Sequence, residues 1–285
     1  MNIKDKNLYY IGGVVRDEIL GIGSRDIDLC YEGNAIEFAS VYKVIKTNPD
    51  FGTVRILCDG KEIDIASTRT ETYPQKGHLP KVDKIGCPLK EDLKRRDFTI
   101  NAIAKRTTDG EIIDYFDGVK DIENKKLRVL HDNSFIDDPT RIIRGLKFSV
   151  RFGFDLDKNT KKLQEDYLNN VNYDMSLHRL KNELVDAFSL NKREVLERFI
   201  EQKIYKLLNQ DYKAFKFDYD RLENGGKIIT PQYIWLLWCA GFDISHLPLT
   251  RGEKRILEWV KKLRTQEAGN NTPRESIIIS ECYNV

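Results

Sequence analysis

The sequence lacks the features that mark several broad classes of protein. No apolar run approaches the roughly 20 residues that a membrane-spanning helix requires. The N-terminal MNIKDKNLYY is charged and has no apolar core of the kind found in signal peptides. The cysteines have no short paired spacing of a zinc site or a disulfide framework; they are Cys30, Cys58, Cys87, Cys239 and Cys282. We therefore expect a cytoplasmic protein with reduced thiols, no membrane partner and no obligate protein partner.

The chain also lacks an excess of charge of either sign. It has 47 Lys and Arg against 45 Asp and Glu, a formal net charge of +2 over 285 residues. A nucleic-acid partner would therefore have to be bound through local clusters of basic residues. Because 40% of the residues are hydrophobic, and no repeat or low-complexity segment is present, the chain can bury the core of one large or two modest domains.

Short apolar runs separated by glycine-containing turns dominate the chain up to Tyr115. They predict strands in LYYIGG, DIDLCYEG, FGTVRILCDG, KEIDIAS and GEIIDYFDG. Between them, VVRDEILG and AIEFASVYKVI have apolar residues at helical spacing, and Gly21 predicts the end of the first helix. The segment Thr72–Leu89, rich in Pro, Gly and Lys, predicts a long mobile loop. The first half is therefore expected to be a small α/β domain.

The second half has the pattern of an all-helical domain, in segments such as DPTRIIRGLKFSVRFG, SLHRLKNELVDAFSL and GEKRILEWVKKLR. Asp138 and Ser176 occupy expected N-cap positions. Ser176 precedes an amphipathic run that places three apolar residues on one face: Leu180, Leu184 and Phe188. We expect the domain boundary within Asp114–Lys126 and fraying at the C-terminus.

A Gly-Gly turn near the N-terminus is a candidate anion site. Gly12 and Gly13 join a predicted strand to a helix, so backbone N–H groups at the helix N-terminus face outward. Arg16, one turn into the helix, could add a charge-assisted contact, and Arg95 and Arg96 could reach the same anion. Taken alone, such a turn is most often a tight connection, and the arginines could equally form ordinary salt bridges.

Three aspartates are candidate metal ligands. Strand alternation places Asp26 and Asp28 on one face, close enough to share hard cations. Asp64 lies on another short apolar strand that could pair beside theirs. Three carboxylates would suit two magnesium ions, which could activate a hydroxyl and stabilise a leaving pyrophosphate. The alternatives are a solvated strand edge for the pair and an edge position for Asp64.

Four charged residues recur every three positions where a helix is predicted to start: Asp138, Arg141, Arg144 and Lys147. A charged stripe is usually a solvated surface. However, an Asp and an Arg one turn apart present an acceptor beside donors, as the pairing edge of cytosine or adenine requires.

In this order, the segments resemble those of the class II tRNA nucleotidyltransferases and bacterial poly(A) polymerases, of the polymerase-β-like nucleotidyltransferase superfamily. The resemblance rests on GGVVRDEILG, RDIDL, FGTVRI, EIDIASTRTETY, EDLKRRDFTINAIA, IDYFDGVKDIENKKLRVL, DDPTRIIRGLKFSVRFGF and SLHRLKNEL. It implies an α+β protein with a catalytic head of mixed sheet and helices (residues 1–125). An all-helical neck that recognises the base (126–190) and a helical, RNA-binding body (191–285) would follow.

The resemblance implies roles for individual residues. Asp26 and Asp28, with Asp64 as a third acid, would be catalytic and would bind Mg²⁺. The nucleotide-binding residues would be Gly12, Gly13, Arg16, Arg96, Asp138, Arg141, Arg144 and Lys147. Asp138 would accept from the exocyclic amine of C or A while Arg141 donates to the ring, and U and G would be rejected because they carry a carbonyl instead. Lys147 stands where arginine is usual, which keeps the charge but loses the planar fork.

The implied activity is addition of C and A to the 3′ end of tRNA from CTP and ATP. The alternatives within the family are a poly(A) polymerase and an enzyme that adds only A or only CC; Thr72–Leu89 weighs against the CC-adding type, whose members typically lack this loop. An inactive RNA-binding module is a further alternative, but it would not need a repelling pair of acids. His131-Asp132 alone is weak support for a metal phosphohydrolase.

Overall fold

The computed structural model describes residues 3–23, 27–211, 217–265, 267 and 269–283. Contacts group the chain into two compact units, one of Met1–Asp137 with Asp155–Lys161 and one of Asp138–Phe154 with Lys162–Val285. The further division into residues 1–125, 126–190 and 191–285 stays a prediction. Among the described residues, no helix is both long enough and apolar enough to cross a bilayer.

A mixed sheet forms the centre of the first unit. The strands of this unit are β1 (Leu8–Ile11), β2 (Asp28–Tyr31), β3 (Lys43–Asn48), β4 (Thr53–Cys58), β5 (Lys61–Ser67), β6 (Arg69–Thr72), β7 (Lys81–Ile85), β8 (Ile103–Arg106), β9 (Ile112–Asp114), β10 (Lys126–Leu127) and β11 (Asp155–Leu156). Seven of them form one sheet in the order β3-β4-β5-β2-β1-β8-β9. In this sheet β2 and β5 run parallel, whereas their other neighbours are antiparallel.

Short helices accompany the sheet: α1 (Gly13–Ile19), α2 (Ala35–Phe38), α3 (Leu89–Lys94), α4 (Gly118–Glu123) and α5 (Ser134–Asp137). Strand alternation sends apolar side chains to both faces of the sheet. Leu8 and Leu29 belong to one buried cluster, whereas Tyr9 and Cys30 belong to another. Both faces are thus covered. The strands predicted in LYYIGG, DIDLCYEG, FGTVRILCDG, KEIDIAS and GEIIDYFDG are confirmed as β1, β2, β4, β5 and β9. The predicted stop at Gly21 is also confirmed, since Gly21 has φ 69° just after α1 and donates to the Glu18 carbonyl.

Two predictions in the first unit are wrong. The helix predicted over AIEFASVYKVI ends at Phe38. The chain then makes a 3-10 turn (Ala39–Val41) and continues as edge strand β3, which pairs with β4. The pairing of β3 with β4 in a hairpin outweighs the helical periodicity of this segment. The segment Thr72–Leu89 is not a structureless loop, since β7 pairs antiparallel with β6. A register shift in this hairpin between Thr70 and Glu71 interrupts the alternation.

The second unit is helical, as predicted. Its helices are α6 (Thr140–Phe152), α7 (Lys158–Asn169, whose first turn is grouped with the first unit), α8 (Leu177–Phe188), α9 (Arg193–Glu201), α10 (Tyr219–Ile228), α11 (Ile234–Cys239), α12 (Arg251–Arg264) and α13 (Arg274–Tyr283). The predicted cap at Ser176 is confirmed, and the three apolar residues that follow it on α8 are fully buried. The C-terminal segment was expected to fray, but Arg274–Tyr283 forms α13, and residues 284 and 285 lie outside the described residues.

Gly118 permits a close contact within the first unit. It begins α4, which packs on the 3-10 turn Thr99–Asn101. A Cβ atom at Gly118 would lie 2.3 Å from the Thr99 carbonyl oxygen, which is far inside van der Waals contact. Because Gly118 has no side chain, α4 can pack directly against the turn Thr99–Asn101.

We expect Gly118→Ala to destabilise the first unit by about 1–3 kcal/mol, because a backbone carbonyl cannot move aside cheaply. Gly23→Ala is the matched control, since a Cβ atom there would meet no atom of the described residues within 4 Å and φ is not positive. Thermal unfolding followed by circular dichroism measures both variants. Equal melting temperatures for the two variants would contradict this role of Gly118.

Candidate active site

The Gly-Gly turn lies against Arg96. Gly12 follows β1 with φ 67° and ψ −124°, donates to the Ile103 carbonyl at 3.2 Å, and precedes α1. A Cβ atom at Gly12 would lie 3.1 Å from Nη1 of Arg96. No side chain caps α1. The turn thus presents backbone N–H groups and an arginine together, as an anion site requires.

Arg16 is buried, with 4% of its surface exposed. Its Nε and Nη2 donate to Oδ1 of Asp17 at 2.8 and 2.6 Å, and its Nη1 donates to Oδ1 of Asn101 at 2.5 Å. Asn101 in turn donates to Asp97 at 2.9 Å. Arg16 therefore joins α1 to the turn Thr99–Asn101, and its direct contact with a phosphate stays a prediction. Asn101 was missed from the sequence, because nothing local indicates a partner 85 positions away.

A buried carboxylate orients Arg96. Asp92 of α3 is fully buried and accepts from Nη2 of Arg95 at 2.8 Å and from Nη2 of Arg96 at 3.2 Å. Burial alone would raise the pKa of Asp92, but Arg96 and Arg95 outweigh it and hold the pKa below its ordinary value. Among the described residues, the buried Nε of Arg96 has no hydrogen-bond partner. Arg96 is thus anchored at one nitrogen and retains donor capacity beside Gly12.

Two of the predicted metal ligands lie side by side. The parallel register of β2 and β5 pairs Asp28 with Asp64, and both residues are exposed. Paired residues of neighbouring strands project to the same face of a sheet, on strands about 5 Å apart. The prediction that the strand of Asp64 pairs beside that of Asp28 is therefore confirmed. Asp26 lies outside the described residues.

Arg55 of β4 forms an ion pair with the carboxylate of Asp64. Its Nε and Nη2 donate to the two oxygens of Asp64 at 2.8 and 2.7 Å. Arg55 was not predicted from the sequence, although strand alternation could have indicated it. Arg55 lies between the buried Val54 and Ile56 and therefore on the outer face. Asp64 lies on the same face, between Ile63 and Ile65. Among the described residues, no three His, Cys, Asp or Glu form a metal-binding group. Asp28 and Asp64 do supply the oxygen ligands that Mg²⁺ prefers, once Arg55 releases Asp64.

The charged stripe of α6 is not a solvated surface. Asp138 and Arg141 are each only 4% exposed. Pro139 rather than Asp138 is the N-cap, but Oδ1 of Asp138 accepts from the backbone N and Oγ1 of Thr140 at 3.1 and 2.6 Å. The prediction that Asp138 is the N-cap is therefore wrong by one position, although Asp138, just before the N-cap, still stabilises the start of the helix.

Residues of α8 pair with this stripe within the second unit. Arg179 donates to Oδ2 of Asp138. Glu183 accepts from Arg144 at 3.2 Å and from Lys147 at 3.3 Å. The sequence motif SLHRLKNEL contains Arg179 and Glu183 one turn apart, beside its buried apolar face, but their partners are about 40 positions away. The stripe is therefore held in a fixed arrangement by its neighbouring helix.

Comparison with known proteins identifies the family. The family described as Poly A polymerase head domain matches residues 8–128. A solved structure named tRNA-processing enzyme (apo form I) is 31% identical, with a TM-score of 0.66, and the match covers 91% of this chain and 72% of that one. The chain belongs to the class II tRNA nucleotidyltransferase and poly(A) polymerase family.

Two further members of the nucleotidyltransferase family carry different names. The A-adding tRNA nucleotidyltransferase of Aquifex aeolicus is 36% identical over 89% of this chain, which spans 33% of that relative's length. A solved structure named CCA-adding enzyme apo form II has a TM-score of 0.79 at 28% identity and is covered to 76%, over 98% of this chain. The α+β class predicted from the motifs of this family is confirmed.

We expect Arg55→Gln to raise the affinity for Mn²⁺, used as a probe for Mg²⁺, by up to about fivefold, because an exposed and weak ion pair no longer competes for Asp64. Arg55→Lys keeps the charge without the paired hydrogen bonds and should lie between the variant and the parent. Electron paramagnetic resonance titration of free Mn²⁺ measures the affinity without turnover. Unchanged or weaker binding in Arg55→Gln would show that Arg55 does not compete with the metal.

Proposed function

We propose that this protein transfers nucleoside monophosphates from CTP and ATP to the 3′ end of tRNA, building or repairing the CCA terminus with release of pyrophosphate. The observation that carries the proposal is the register of Asp28 with Asp64 in the same unit as the Gly12–Arg96 anion site, in a chain of this family. A pure RNA-binding protein would not need two exposed acids in register on adjacent strands, whose charges would repel each other without a neutralising cation such as Arg55.

The chemistry follows from these side chains. The 3′-hydroxyl oxygen of the RNA attacks the α-phosphorus of the nucleotide, a new P–O bond forms, and the bond to pyrophosphate breaks. Asp28 and Asp64, with Asp26, would hold Mg²⁺, which would ease the loss of the 3′-hydroxyl proton to solvent and would neutralise the charge of the leaving pyrophosphate. Arg96 and the backbone N–H groups after Gly12 would hold the remaining phosphate oxygens. Arg16 would keep the turn Thr99–Asn101 against α1.

Asp138 would select the base. A carboxylate has about four lone-pair sites. Thr140 uses two on Oδ1 and Arg179 uses one on Oδ2, so one site on Oδ2 remains for the exocyclic amine of C or A. Arg141, with its Nε 3.9 Å from the same Oδ2, would donate to the ring acceptors of the base. Arg144 and Lys147 would continue this nucleotide-binding surface, although both now pair with Glu183.

A-only addition is the second candidate, because a relative 36% identical is named an A-adding enzyme. Transcripts of one tRNA that end before CCA, after C and after CC separate the possibilities when CTP and ATP are offered one at a time. We expect CTP to extend the first two transcripts and ATP to extend only the last, by one residue. Extension of the CC transcript alone would establish the A-adding enzyme, and repeated A addition a poly(A) polymerase.

Asp28→Asn, which removes a proposed metal ligand, should abolish every product in the same assay. Full activity in that variant would refute the proposed site.

We expect Asp138→Ala to lower discrimination against UTP and GTP by roughly ten- to a hundredfold, the value of one charged hydrogen bond of about 1–3 kcal/mol. Single-nucleotide addition with each of the four triphosphates measures this ratio. Asp220→Ala, which removes an exposed acid at the start of α10, is the control and should leave the ratio unchanged. If Asp138→Ala is folded and rejects UTP and GTP as firmly as the parent, base selection does not depend on Asp138.

A further inference from the structure

Helix α12 concentrates positive charge on one side. It contains six Lys and Arg against two Glu, a formal charge of +4 in a chain whose total is +2. At 100° per residue, five of the exposed cations fall within a sector of about 120° along about 15 Å of the helix, and the sixth, Arg264, lies outside it over the ring of Tyr283 at 4.6 Å. We name this sector the α12 basic face; it consists of Arg251, Lys254, Arg255, Lys261 and Lys262.

Carboxylates offset only part of the charge of this face. Among the described residues, Arg251, Lys254, Arg255 and Lys261 have no side-chain hydrogen bond or ion pair, and Lys262 lies over the ring of Trp259 at 5.0 Å. Of the two glutamates, Glu253 is buried and bonds to Lys181 and Thr250. Glu258 is thus the one acid within the α12 basic face of the described helix.

Two acids outside α12 interact with it only weakly. Hydrogen bonds are the main cause that lowers the pKa values of Asp243 and Glu275, and Lys261 and Arg255 respectively contribute smaller effects. Asp243 accepts from Oγ of Ser245 at 2.6 Å, and Glu275 accepts from Oγ1 of Thr230 at 2.7 Å. By contrast, many other cations of the second unit pair with a carboxylate: Arg144, Lys147, Arg179, Lys181, Arg193 and Arg198. The α12 basic face therefore differs from the ordinary charged surface of this unit.

We propose that the α12 basic face binds the phosphate backbone of the RNA substrate, an inference that rests on the proposed function. A straight row of cations about 15 Å long can face several consecutive phosphates, and each contact releases counterions. Contacts of this kind carry no base specificity; they position the RNA. This surface would supply the local cluster of basic residues that a chain of net charge +2 needs to bind a polyanion.

The test compares two triple variants of the full chain. The first, Lys254→Gln with Arg255→Gln and Lys261→Gln, removes three charges from the α12 basic face. The control, Lys158→Gln with Lys161→Gln and Lys162→Gln, removes three exposed charges from α7, so the change in net charge is the same. Fluorescence anisotropy with a tRNA transcript that lacks its terminal A measures the dissociation constant between about 50 and 200 mM salt. Thermal melting shows that both variants are folded.

We expect the α12 variant to lose at least tenfold in affinity at low salt, and the slope of log affinity against log salt to fall by about 2–3, one for each phosphate contact. The control should stay within about twofold of the parent. Equal losses in both variants, or no loss in the α12 variant, would overturn the proposal. So would loss of binding to anionic phospholipid vesicles with RNA binding intact. A parent protein that binds RNA through this face but adds no nucleotide would refute the proposed function alone.

Discussion

The parallel pairing of β2 with β5 is the constraint on which the candidate site depends. Antiparallel neighbours surround this pair, and its register sets Asp28 beside Asp64 although 35 residues separate them in the chain. A shift of one residue would turn every side chain of a strand to the other face. The buried residues Leu29, Ile63 and Ile65 oppose such a shift, because it would expose them. The hydrophobic core of the first unit thereby fixes the spacing of two charged groups on its surface.

Charges that are buried in this protein are paired, as the cost of desolvating an ion requires. Asp92 is held by Arg95 and Arg96, Arg16 by Asp17 and Asn101, and these bonds determine which donors remain for a ligand. The same principle applies to Asp138, which accepts from Thr140 and from Arg179. Positioning and binding capacity are therefore set by the same hydrogen bonds.

Surface charge follows a different rule, because an exposed cation costs little to leave without a partner. Arg55 on β4 pairs with Asp64 even though both are about half exposed, with 45% and 53% of their side chains accessible. The α12 basic face is exposed, and within the described part of the chain its cations form no ion pair with a carboxylate. Asp64, which is proposed to bind a cation, is thus paired with Arg55. The cations of the α12 basic face, which are proposed to bind an anion, form no such pair among the described residues.

The sequence by itself determined the strand that precedes Gly12, the strand of Asp64, and the N-cap and apolar face of α8, because all of these are local properties of spacing and residue type. Its motifs, through their resemblance to a family, also implied the α+β class. Tertiary structure decided which of these elements meet. The pairing of β3 with β4, the hairpin within Thr72–Leu89, and the contacts of Arg55, Asn101 and Arg179 each join residues whose local sequence carries no record of the partner. Such contacts are selected by the burial of apolar surface and the pairing of buried polar groups over the whole chain, which no short window of sequence contains.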